Sequence, residues 1–398
     1  MTNNATSKKR ILIVGGGFGG AKVALALGKS KAFEVTLLSD SDDFSYHPAL
    51  YHTATGGRIS QSQIPLEKLL RGKNIAIFRG QATKLDRKAK AIETADGQKL
   101  PYDELILALG MVVNYFGIGG VPEFSYGIKS APEALRFKKH LHDQLAATKK
   151  FDDNYVVIGG GPTGIELAGA LPSYLRKIGQ AHGVHGEPKV SIVEAAPQLV
   201  PRMPAKMATA ITKQLEQIGV KLYLGKAVKG QTASALQVDG ESIPTKTTVW
   251  TAGQANAPFF EANKFAVNER HKVVVDEHLQ AEPNIYVLGD NSNTEFSGMA
   301  QTALLDAELV AENLLRAAHG QAPEAYKPKK PTYVFPAGPE WAAVLWGKAQ
   351  FYGRLGWTVR SLADLVGFHD LMPWPKAVKQ WTLESGSDED CAVCAGKN

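Results

Sequence analysis

A Gly-x-Gly-x-x-Gly pattern that directly follows an apolar run occurs twice in this chain of 398 residues. The first copy spans residues 15–20 after Ile11–Val14, and the second spans residues 159–164 after Tyr155–Ile158. Such short apolar runs are typical of buried parallel strands, and the residues after each pattern are compatible with a helix. Strand, glycine turn and helix in this order predict two nucleotide-binding units.

Each glycine of the pattern has a separate task. The first permits a tight turn, the second lets the backbone approach a pyrophosphate, and the third lets the helix pack closely on the strand. The N-terminus of the helix then offers free N–H groups to the phosphates. The candidate cofactor-binding residues are Gly15, Gly17, Phe18, Gly19 and Gly20 in the first unit, and Gly159, Gly161, Pro162, Thr163 and Gly164 in the second.

An acidic residue at the end of the second strand of such a unit normally accepts hydrogen bonds from a ribose hydroxyl. In the second unit Glu194 stands at this position. In the first unit Ser39 occupies it and Asp40 follows one residue late, so both are candidates. Ala195 rather than an arginine follows Glu194, which favours NADH over NADPH, although a more distant basic residue could still hold a 2′-phosphate.

A third apolar run, residues 284–288, ends in Gly289-Asp290. Ligands of open parallel sheets lie at the carboxyl ends of the strands, so this aspartate could bond the sugar hydroxyls of an extended cofactor. Taken alone, Gly-Asp after a strand is most often an ordinary turn. Its meaning comes from the two glycine patterns that accompany it.

The composition is that of a globular chain, with 44% hydrophobic and 21% charged residues, and the length predicts two or three domains. The formal net charge of +6 is weak support for a nucleic-acid partner. Residues 105–122 are uncharged, but they contain four glycines and end at Pro122, which predicts a strand and a loop rather than a membrane-spanning helix. The polar start does not resemble a secretory signal.

The chain has two cysteines, Cys391 and Cys394. The residues before them therefore form no disulfide and no cysteine redox pair, which suits a reducing compartment. One Cys-x-x-Cys is half of a zinc site and no second pair accompanies it, so we interpret residues 384–398 as an acidic tail. The ten histidines show no metal-ligand spacing, and no metal site is predicted.

These motifs together resemble the flavoprotein reductases with two dinucleotide-binding domains, in which the first pattern holds FAD and the second holds NAD(P)H. Gly289-Asp290 matches the second FAD motif of that superfamily, and residues 248–253 match the stretch just before it. Within the superfamily the chain is most similar to type II NADH dehydrogenase, the single-chain NADH:quinone oxidoreductase. The stretches that carry this similarity are residues 15–20, 48–51, 54–56, 114–117 and 159–170.

The resemblance implies that NADH gives a hydride to the N5 atom of FAD and that two electrons then pass to a membrane quinone without proton pumping. It places Glu166 at the junction of nicotinamide and flavin, where the alternative is an ordinary helix-start acid. Gln301 belongs to the acceptor-side motif Ala-Gln-x-Ala-x-Gln, whose second glutamine is Leu305 here, which leaves the quinone type open. The further cofactor contacts that the resemblance implies are Ala82, Gly110, Ala252, Gly253, Gly289, Asp290 and Ala300.

We therefore predict an α/β fold with two Rossmann-like doubly wound domains, followed by a C-terminal membrane-contacting helical region. The FAD domain would comprise residues 1–118 and 253–325, with the NADH domain, residues 119–252, inserted between them. Residues 326–398 would form the membrane-associating region and the tail.

The region after Tyr326 has its own composition. It holds five of the six tryptophans, and residues 326–383 contain eight basic residues against three acidic ones. Leu355, Val359, Leu362 and Val366 share one helical face, which we expect to pack on the protein while aromatic side chains face outward. Such a segment suits an interfacial anchor, and the resembled family docks on membranes through its C-terminal helices. We therefore expect a peripheral protein on the cytoplasmic face of the cell membrane, with a packed subdomain or a homodimer interface as the alternative.

Two other functions stay open at this point. Electrons could pass to a soluble carrier of the ferredoxin or rubredoxin type, attracted by the basic C-terminal region. Alternatively, the chain could be a non-catalytic redox sensor that binds NADH. Sulfide:quinone and disulfide reductases both need cysteines beside the flavin, which this chain lacks before Cys391.

Overall fold

The structure, a computed structural model, describes residues 8–383. Cys391, Cys394 and the acidic tail therefore lie outside the described residues. The fold is α/β, with two sheets, parallel except for one antiparallel edge strand in the first, flanked by helices, and a smaller C-terminal region, and it confirms the predicted class of two Rossmann-like units.

The first stretch of the chain builds most of the first parallel sheet and two small antiparallel additions. Its elements are β1 (Lys9–Val14), α1 (Phe18–Leu27), β2 (Phe33–Ser39), β3 (Asp43–Ser45), the 3-10 turn His47–Ala49, α2 (Leu50–Ala54), α3 (Ile59–Ser62), β4 (Gln63–Pro65), α4 (Leu66–Leu69), β5 (Ile75–Arg79), β6 (Ala82–Asp86), β7 (Ala91–Thr94), β8 (Lys99–Pro101), β9 (Glu104–Leu107) and β10 (Met111–Val113).

The second stretch builds the second parallel sheet and a three-stranded antiparallel addition. Its elements are α5 (Val121–Phe124), β11 (Ser125–Tyr126), α6 (Ala131–Thr148), β12 (Tyr155–Ile158), α7 (Pro162–Ala181), β13 (Val190–Glu194), α8 (Ala205–Gln217), β14 (Val220–Leu224), β15 (Val228–Gln231), β16 (Ala235–Val238), β17 (Glu241–Pro244), β18 (Thr247–Trp250) and β19 (Gln254–Asn256).

The chain then returns to the first sheet and ends in a separate C-terminal region. The remaining elements are α9 (Pro258–Ala262), β20 (Gln280–Glu282), β21 (Ile285–Val287), the 3-10 turn Gly289–Asn291, α10 (Ala300–Ala318), β22 (Tyr333–Pro336), β23 (Ala342–Trp346), β24 (Ala349–Phe351), α11 (Gly353–His369) and α12 (Trp374–Thr382).

The first sheet has the strand order β20-β21-β9-β1-β2-β5, and β1 runs parallel to both β2 and β9. Its strands come from two separated stretches, because β21 pairs in parallel with β9 after the chain has passed through the second unit. The second sheet has the order β11-β18-β12-β13-β14 with all pairs parallel. All four residues of β12 are buried, as strands covered by helices on both faces require.

The uncharged stretch of residues 105–122 runs from β9 through a loop, the short strand β10 and a second loop into the start of α5, so it contains the predicted strand and loop and a second strand that was not predicted. Among the helices within residues 8–383, none combines the length and the apolarity needed to cross a bilayer.

The C-terminal region differs from its prediction in two ways. It begins with an antiparallel sheet, β22-β23-β24, where the sequence indicated helices alone. The orientation of α11 is also the reverse of the predicted one, because its aliphatic stripe faces solvent. Leu355, Leu362 and Val366 are 59%, 53% and 50% exposed.

The buried face of α11 explains this reversal. It consists of Gly356, Arg360, Asp364 and Phe368, four residues spaced one helical turn apart. A Cβ atom at Gly356 would lie 2.1 Å from the carbonyl oxygen of Ala342, so the glycine lets α11 approach β23 closely. The charges of Arg360 and Asp364 can be buried because they pair with each other.

Candidate functional site

In the first glycine turn, between β1 and α1, each of the three glycines has the geometry that its expected role requires. Gly15 has a φ of +108°, and a Cβ atom on it would lie 2.2 Å from the carbonyl oxygen of Ala108. A Cβ atom on Gly20 would lie 1.9 Å from the carbonyl oxygen of Gly15, which shows how closely helix and turn pack. A Cβ atom on Gly17 would meet nothing within 4 Å. The middle glycine thus borders open space where a pyrophosphate can approach the backbone.

The second glycine turn, between β12 and α7, repeats this geometry. Gly159 has a φ of +114°, and a Cβ atom on Gly164 would lie 1.9 Å from the carbonyl oxygen of Gly159. Gly161 again borders open space. Pro162 and Thr163 begin α7 and are exposed, so free backbone N–H groups of this helix end are accessible to an anion.

The residue that ends the second strand occupies an equivalent position in the two units. Gly15 donates its N–H to the carbonyl oxygen of Leu38, and Gly159 donates to that of Val193, both at 2.8 Å. Ser39 and Glu194 follow these acceptors directly, so the two residues correspond.

The two corresponding side chains brace their loops differently. The carboxylate of Glu194 accepts hydrogen bonds from the N–H groups of Gly160 (2.6 Å) and Ala196 (2.7 Å). The hydroxyl of Ser39 accepts one from Ser41 (3.2 Å), whereas Asp40 is exposed. Glu194 therefore has the charge and the position to accept hydrogen bonds from a ribose. In the first unit Ser39 occupies the equivalent position, and the acid, Asp40, is the next residue.

The other predicted contacts lie around the carboxyl edge of the first sheet. Gly19 faces Leu288 and Ala303, because a Cβ atom on it would lie 2.6 Å from Leu288 Cδ1 and 3.6 Å from the carbonyl oxygen of Ala303. This contact joins the first glycine turn to the end of β21 and the start of α10, where Gly289, Asp290 and Ala300 lie. Phe18 turns inward and packs edge-on against Phe44, with the ring centroids 5.0 Å apart.

Gly110 and Ala82 occupy different parts of this edge. Gly110 follows β9 with a φ of +67° and exchanges two hydrogen bonds, of 2.8 and 2.7 Å, with the side chain of Asn291. Ala82 begins β6, two residues after Gly80, whose N–H donates to the carbonyl oxygen of Ser39 at 2.8 Å. Ala82 therefore belongs to the side of the site that Ser39 occupies.

Ala252 and Gly253 connect the two units. A Cβ atom on Gly159 would lie 2.9 Å from the backbone nitrogen of Ala252. Gly253 has a φ of +70°, and a Cβ atom on it would lie 2.2 Å from the carbonyl oxygen of Asn114. Both residues thus shape the turn beside the second glycine pattern.

Two buried residues, to which the sequence assigned no role in the cofactor loops, position these loops; from the sequence, Asp306 is a candidate only as a substitute for the missing second glutamine of the acceptor-side motif. Asn291 is fully buried and holds Gly110 as described, and Asp306 on α10 accepts a 2.9 Å hydrogen bond from the N–H of Gly289. Burial raises the pKa of Asp306 to about 6, and the bond from Gly289 opposes this rise. The contacts join residues about 180 and 17 positions apart, so a local sequence pattern carries no signal for them.

Glu166 lies in the first turns of α7 and is partly buried. Burial raises its pKa to about 8, the nearby Arg360 opposes this rise, and Asp364 adds to it. An ordinary acid at a helix start would be solvated and ionised at neutral pH. Glu166 is instead mostly protonated below about pH 8, which is the state required of a proton donor.

A buried polar cluster connects Glu166 to the C-terminal region. Arg360 Nη2 lies 2.9 Å from Asp364 Oδ2, and the hydroxyl of Tyr46 donates to Asp364 Oδ1 at 3.1 Å. The guanidinium also lies over the rings of Trp357 (5.1 Å) and Tyr51 (6.0 Å). Helix α11 thus contributes charged groups to the environment of Glu166.

Gln301 lies in the first turn of α10 and is exposed. Its amide donates to the carbonyl oxygen of Thr332 at 3.0 Å and accepts from the N–H of the same residue at 3.1 Å. In this structure the side chain therefore ties α10 to the segment that leads into β22.

A cavity of about 340 Å³ lies next to Glu166, between α2, α7 and the C-terminal region. Aromatic and small apolar residues form much of its wall, and the exposed Ser173 and Lys177 form its outer part. The lining residues that carry rings or titratable groups are Tyr51, His52, Glu166, Tyr174, Lys177 and Trp357. Glu166 therefore forms part of the wall of a cavity whose volume suits a small molecule.

Two glycine turns of the same geometry in one chain are typical of the class of proteins that bind two nucleotides in paired Rossmann-like units. Comparison with known families agrees with this class. Residues 9–307 match the pyridine nucleotide-disulphide oxidoreductase family, and the chain belongs to that family.

Individual relatives share less than 30% of their residues with this chain. A type II NADH:quinone oxidoreductase of Staphylococcus aureus (strain NCTC 8325 / PS 47) is 28% identical over 348 residues, which cover 81% of this chain and 86% of the relative. NDH2 from Plasmodium falciparum in complex with NADH has a similar fold, with a TM-score of 0.81, 18% identity and coverage of 95% and 97% of the two chains. The sulfide:quinone oxidoreductase of Aquifex aeolicus is similar at a TM-score of 0.76 and 22% identity, covering 98% of both chains.

Proposed function

We propose that the protein is an FAD-dependent type II NADH:quinone oxidoreductase. The observation that carries the proposal is the pair of complete glycine turns, each with its middle glycine on open space. The named relative from Staphylococcus aureus supports the choice of NADH and quinone as substrates. Residues 8–383 contain no cysteine, which separates the proposed chemistry from that of sulfide:quinone and disulfide reductases.

The assignment of the two units follows from the chain order. Residues 1–118 and 253–325 would hold FAD through Gly15, Gly17 and Gly20, with Asp290 on its sugar chain. Residues 119–252 would hold NADH through Gly159, Gly161 and Gly164, with Glu194 on a ribose. Bound FAD would supply a two-electron acceptor for the hydride of NADH and a donor for the quinone.

The protein groups around the cavity suit the reduction of a quinone. A quinone takes up two electrons and two protons to become a quinol. The protonated carboxyl of Glu166 can donate one of the two protons. Tyr51 and Trp357 provide flat apolar surfaces for the quinone ring. Gln301 would border this acceptor side only if its amide turned away from Thr332.

An anaerobic spectral experiment tests the function. NADH is added to purified protein until the flavin absorption near 450 nm is lost, and a short-chain quinone is then added. We expect prompt loss and prompt return of the band. Return with a ferredoxin or rubredoxin but not with quinone would support the soluble-carrier alternative, return with no acceptor of either kind would support a sensor, and the lack of any flavin band would contradict the proposal.

Glu166→Gln is expected to lower kcat with quinone by about 10²-fold or more, in the range typical of a lost proton donor, while FAD stays bound. The wild-type rate should fall as the pH rises through about 8, because the protonated carboxyl is lost there. The variant should lack this basic limb. Glu312→Gln, an exposed change on α10, serves as the control. An unchanged rate and pH profile in Glu166→Gln would remove this residue from the mechanism.

We further propose that the C-terminal region binds the surface of a bilayer, on the cytoplasmic face. Six of the eleven exposed large hydrophobic side chains among the described residues lie between residues 346 and 378. Exposed basic residues accompany them, which suits anionic headgroups. These residues are Trp346, Lys348, Arg354, Leu355, Leu362, Val366, Trp374, Lys376, Val378 and Lys379.

Liposome flotation tests this docking. Leu362→Gln/Val366→Gln should reduce the bound fraction severalfold, whereas Val267→Gln/Val274→Gln, at sites 41% and 42% exposed in the other part of the protein, should not. Point variants are preferable to truncation, because removing α11 would also remove the buried Phe368. Equal flotation of both variants would contradict the membrane proposal, and a dimer lost only in Leu362→Gln/Val366→Gln would identify a second copy as the partner.

A further inference from the structure

Lys129 lies in the short loop between β11 and α6, where its backbone is firmly held. Its N–H donates to Glu133 Oε2 at 2.7 Å, and Ser130 and Glu133 exchange the two hydrogen bonds of a capping box. The neighbouring side chain of Ile128 is buried. The point from which the lysine side chain projects is therefore fixed.

The ammonium group of Lys129 is enclosed but unpartnered. Its Nζ atom is inaccessible to solvent, and among residues 8–383 no group forms a hydrogen bond with it. A buried ammonium group without a partner has lost its hydration and has gained no hydrogen bond in exchange, which is unfavourable. A bound group that approaches Nζ would remove this cost.

One of the charges that act on Lys129 belongs to the first cofactor site, although Lys129 itself belongs to the second stretch of the chain. Asp290 and Glu133 act electrostatically on its ammonium group, and burial, which outweighs them, lowers its pKa. The charges of Lys129 and Asp290 both act on the pKa of His47, the first lowering it and the second raising it. The His47 ring centroid lies 6.3 Å from that of Phe18 on the first glycine turn. Lys129 is thus close enough to Asp290 and His47 for their charges to interact, and His47 in turn contacts the first glycine turn through Phe18.

A second lysine near Asp290, Lys272, is already hydrogen-bonded within the protein. Lys272 also feels Asp290, but its ammonium group donates to the backbone carbonyl of that residue and lies 3.5 Å from Met111 Sδ. The carboxylate of Glu133 is engaged with backbone N–H groups. Of these two lysines, Lys129 is therefore the one whose ammonium group makes no hydrogen bond to the described residues, so all of its bonding capacity is left for a ligand.

We propose that Lys129 is a further functional residue for the reaction, whose ammonium group faces the ring system of bound FAD and stabilises its reduced, anionic state relative to the oxidised state. The inference rests on the proposed binding of FAD. A positive charge beside the flavin ring is one of the means by which a protein tunes flavin chemistry. The charge favours the electron-accepting half of the reaction with NADH.

The test compares Lys129→Met with Lys129→Arg in the FAD-loaded protein. Two readouts besides turnover are used, the midpoint potential of the flavin and the dissociation constant of its sulfite adduct. In that adduct the sulfur lone pair forms a bond to flavin N5 and the negative charge passes into the flavin ring. We expect Lys129→Met to weaken sulfite binding at least about tenfold and to make the potential more negative by roughly 30 mV, the two-electron equivalent of that factor.

Lys129→Arg should restore most of both values, because it keeps the charge. Lys139→Met removes an exposed lysine from α6 and should change neither. An unshifted potential and unshifted sulfite binding in Lys129→Met, with FAD bound, would overturn the inference. Loss of FAD from this variant would also overturn it and would indicate a role in holding the phosphates. Failure of the proposed function is distinguishable, because the wild-type protein would then carry no flavin.

Discussion

Gly17→Val is expected to yield a folded protein that cannot retain FAD, whereas Gly161→Val should retain FAD and lose affinity for NADH. Both glycines have extended backbone angles that any residue adopts, with φ of −78° and −80°, and both border open space. The valine side chains therefore fit the empty turns but occupy the space that a pyrophosphate needs.

We expect the FAD content of Gly17→Val to fall to less than about a tenth, and the KM of Gly161→Val for NADH to rise at least about tenfold, or ~1.4 kcal/mol. Flavin content, circular dichroism and steady-state kinetics measure these effects. Gly20→Ala is the contrasting variant, since its Cβ atom would meet the carbonyl oxygen of Gly15 and disturb the fold itself. If Gly161→Val lost FAD and Gly17→Val kept it, the assignment of the two units would be reversed.

Arg360→Met is expected to destabilise the protein by about 3–5 kcal/mol, because it leaves the buried Asp364 without its cation. The double variant Arg360→Met/Asp364→Leu should recover most of this loss, since both charges are then absent. Denaturant unfolding measures the free energies. Arg176→Met, which breaks the exposed pair with Glu187, should change the free energy of unfolding by less than about 1 kcal/mol.

Arg360→Met is also expected to change the pKa of Glu166. Arg360 opposes the rise in the pKa of Glu166, so its removal should move the basic limb of the pH–rate profile above about pH 8. A stable Arg360→Met protein with an unmoved profile would show that α11 has no electrostatic influence on the site.

The glycine patterns made the two nucleotide-binding units predictable because each pattern is local and its geometry follows from backbone sterics. The start of α7, the strand that leads to it and the end of β13 at Glu194 all follow from short stretches of sequence. The electrostatic environment of Glu166 was not predictable, because Arg360 and Asp364 act on it from a helix nearly 200 positions away.

The orientation of α11 was wrongly predicted for a related reason. Hydrophobic periodicity locates an apolar stripe but does not say what covers it. Here the inward face carries an arginine, an aspartate and a glycine, and their burial depends on Tyr46 and on the backbone of β23. The antiparallel strands β22–β24 and the enclosed ammonium group of Lys129 likewise depend on partners distant in sequence.

One helix, α11, borders the acceptor cavity through Trp357 and carries the outward stripe of Leu355, Leu362 and Val366. On the proposed orientation, a lipid-dissolved quinone would find the cavity by diffusing in the plane of the bilayer, in two dimensions instead of three. NADH would arrive from water at the other unit. The encounter rate with quinone would then scale with the amount of quinone per area of lipid, and diluting the vesicles in buffer would leave it unchanged.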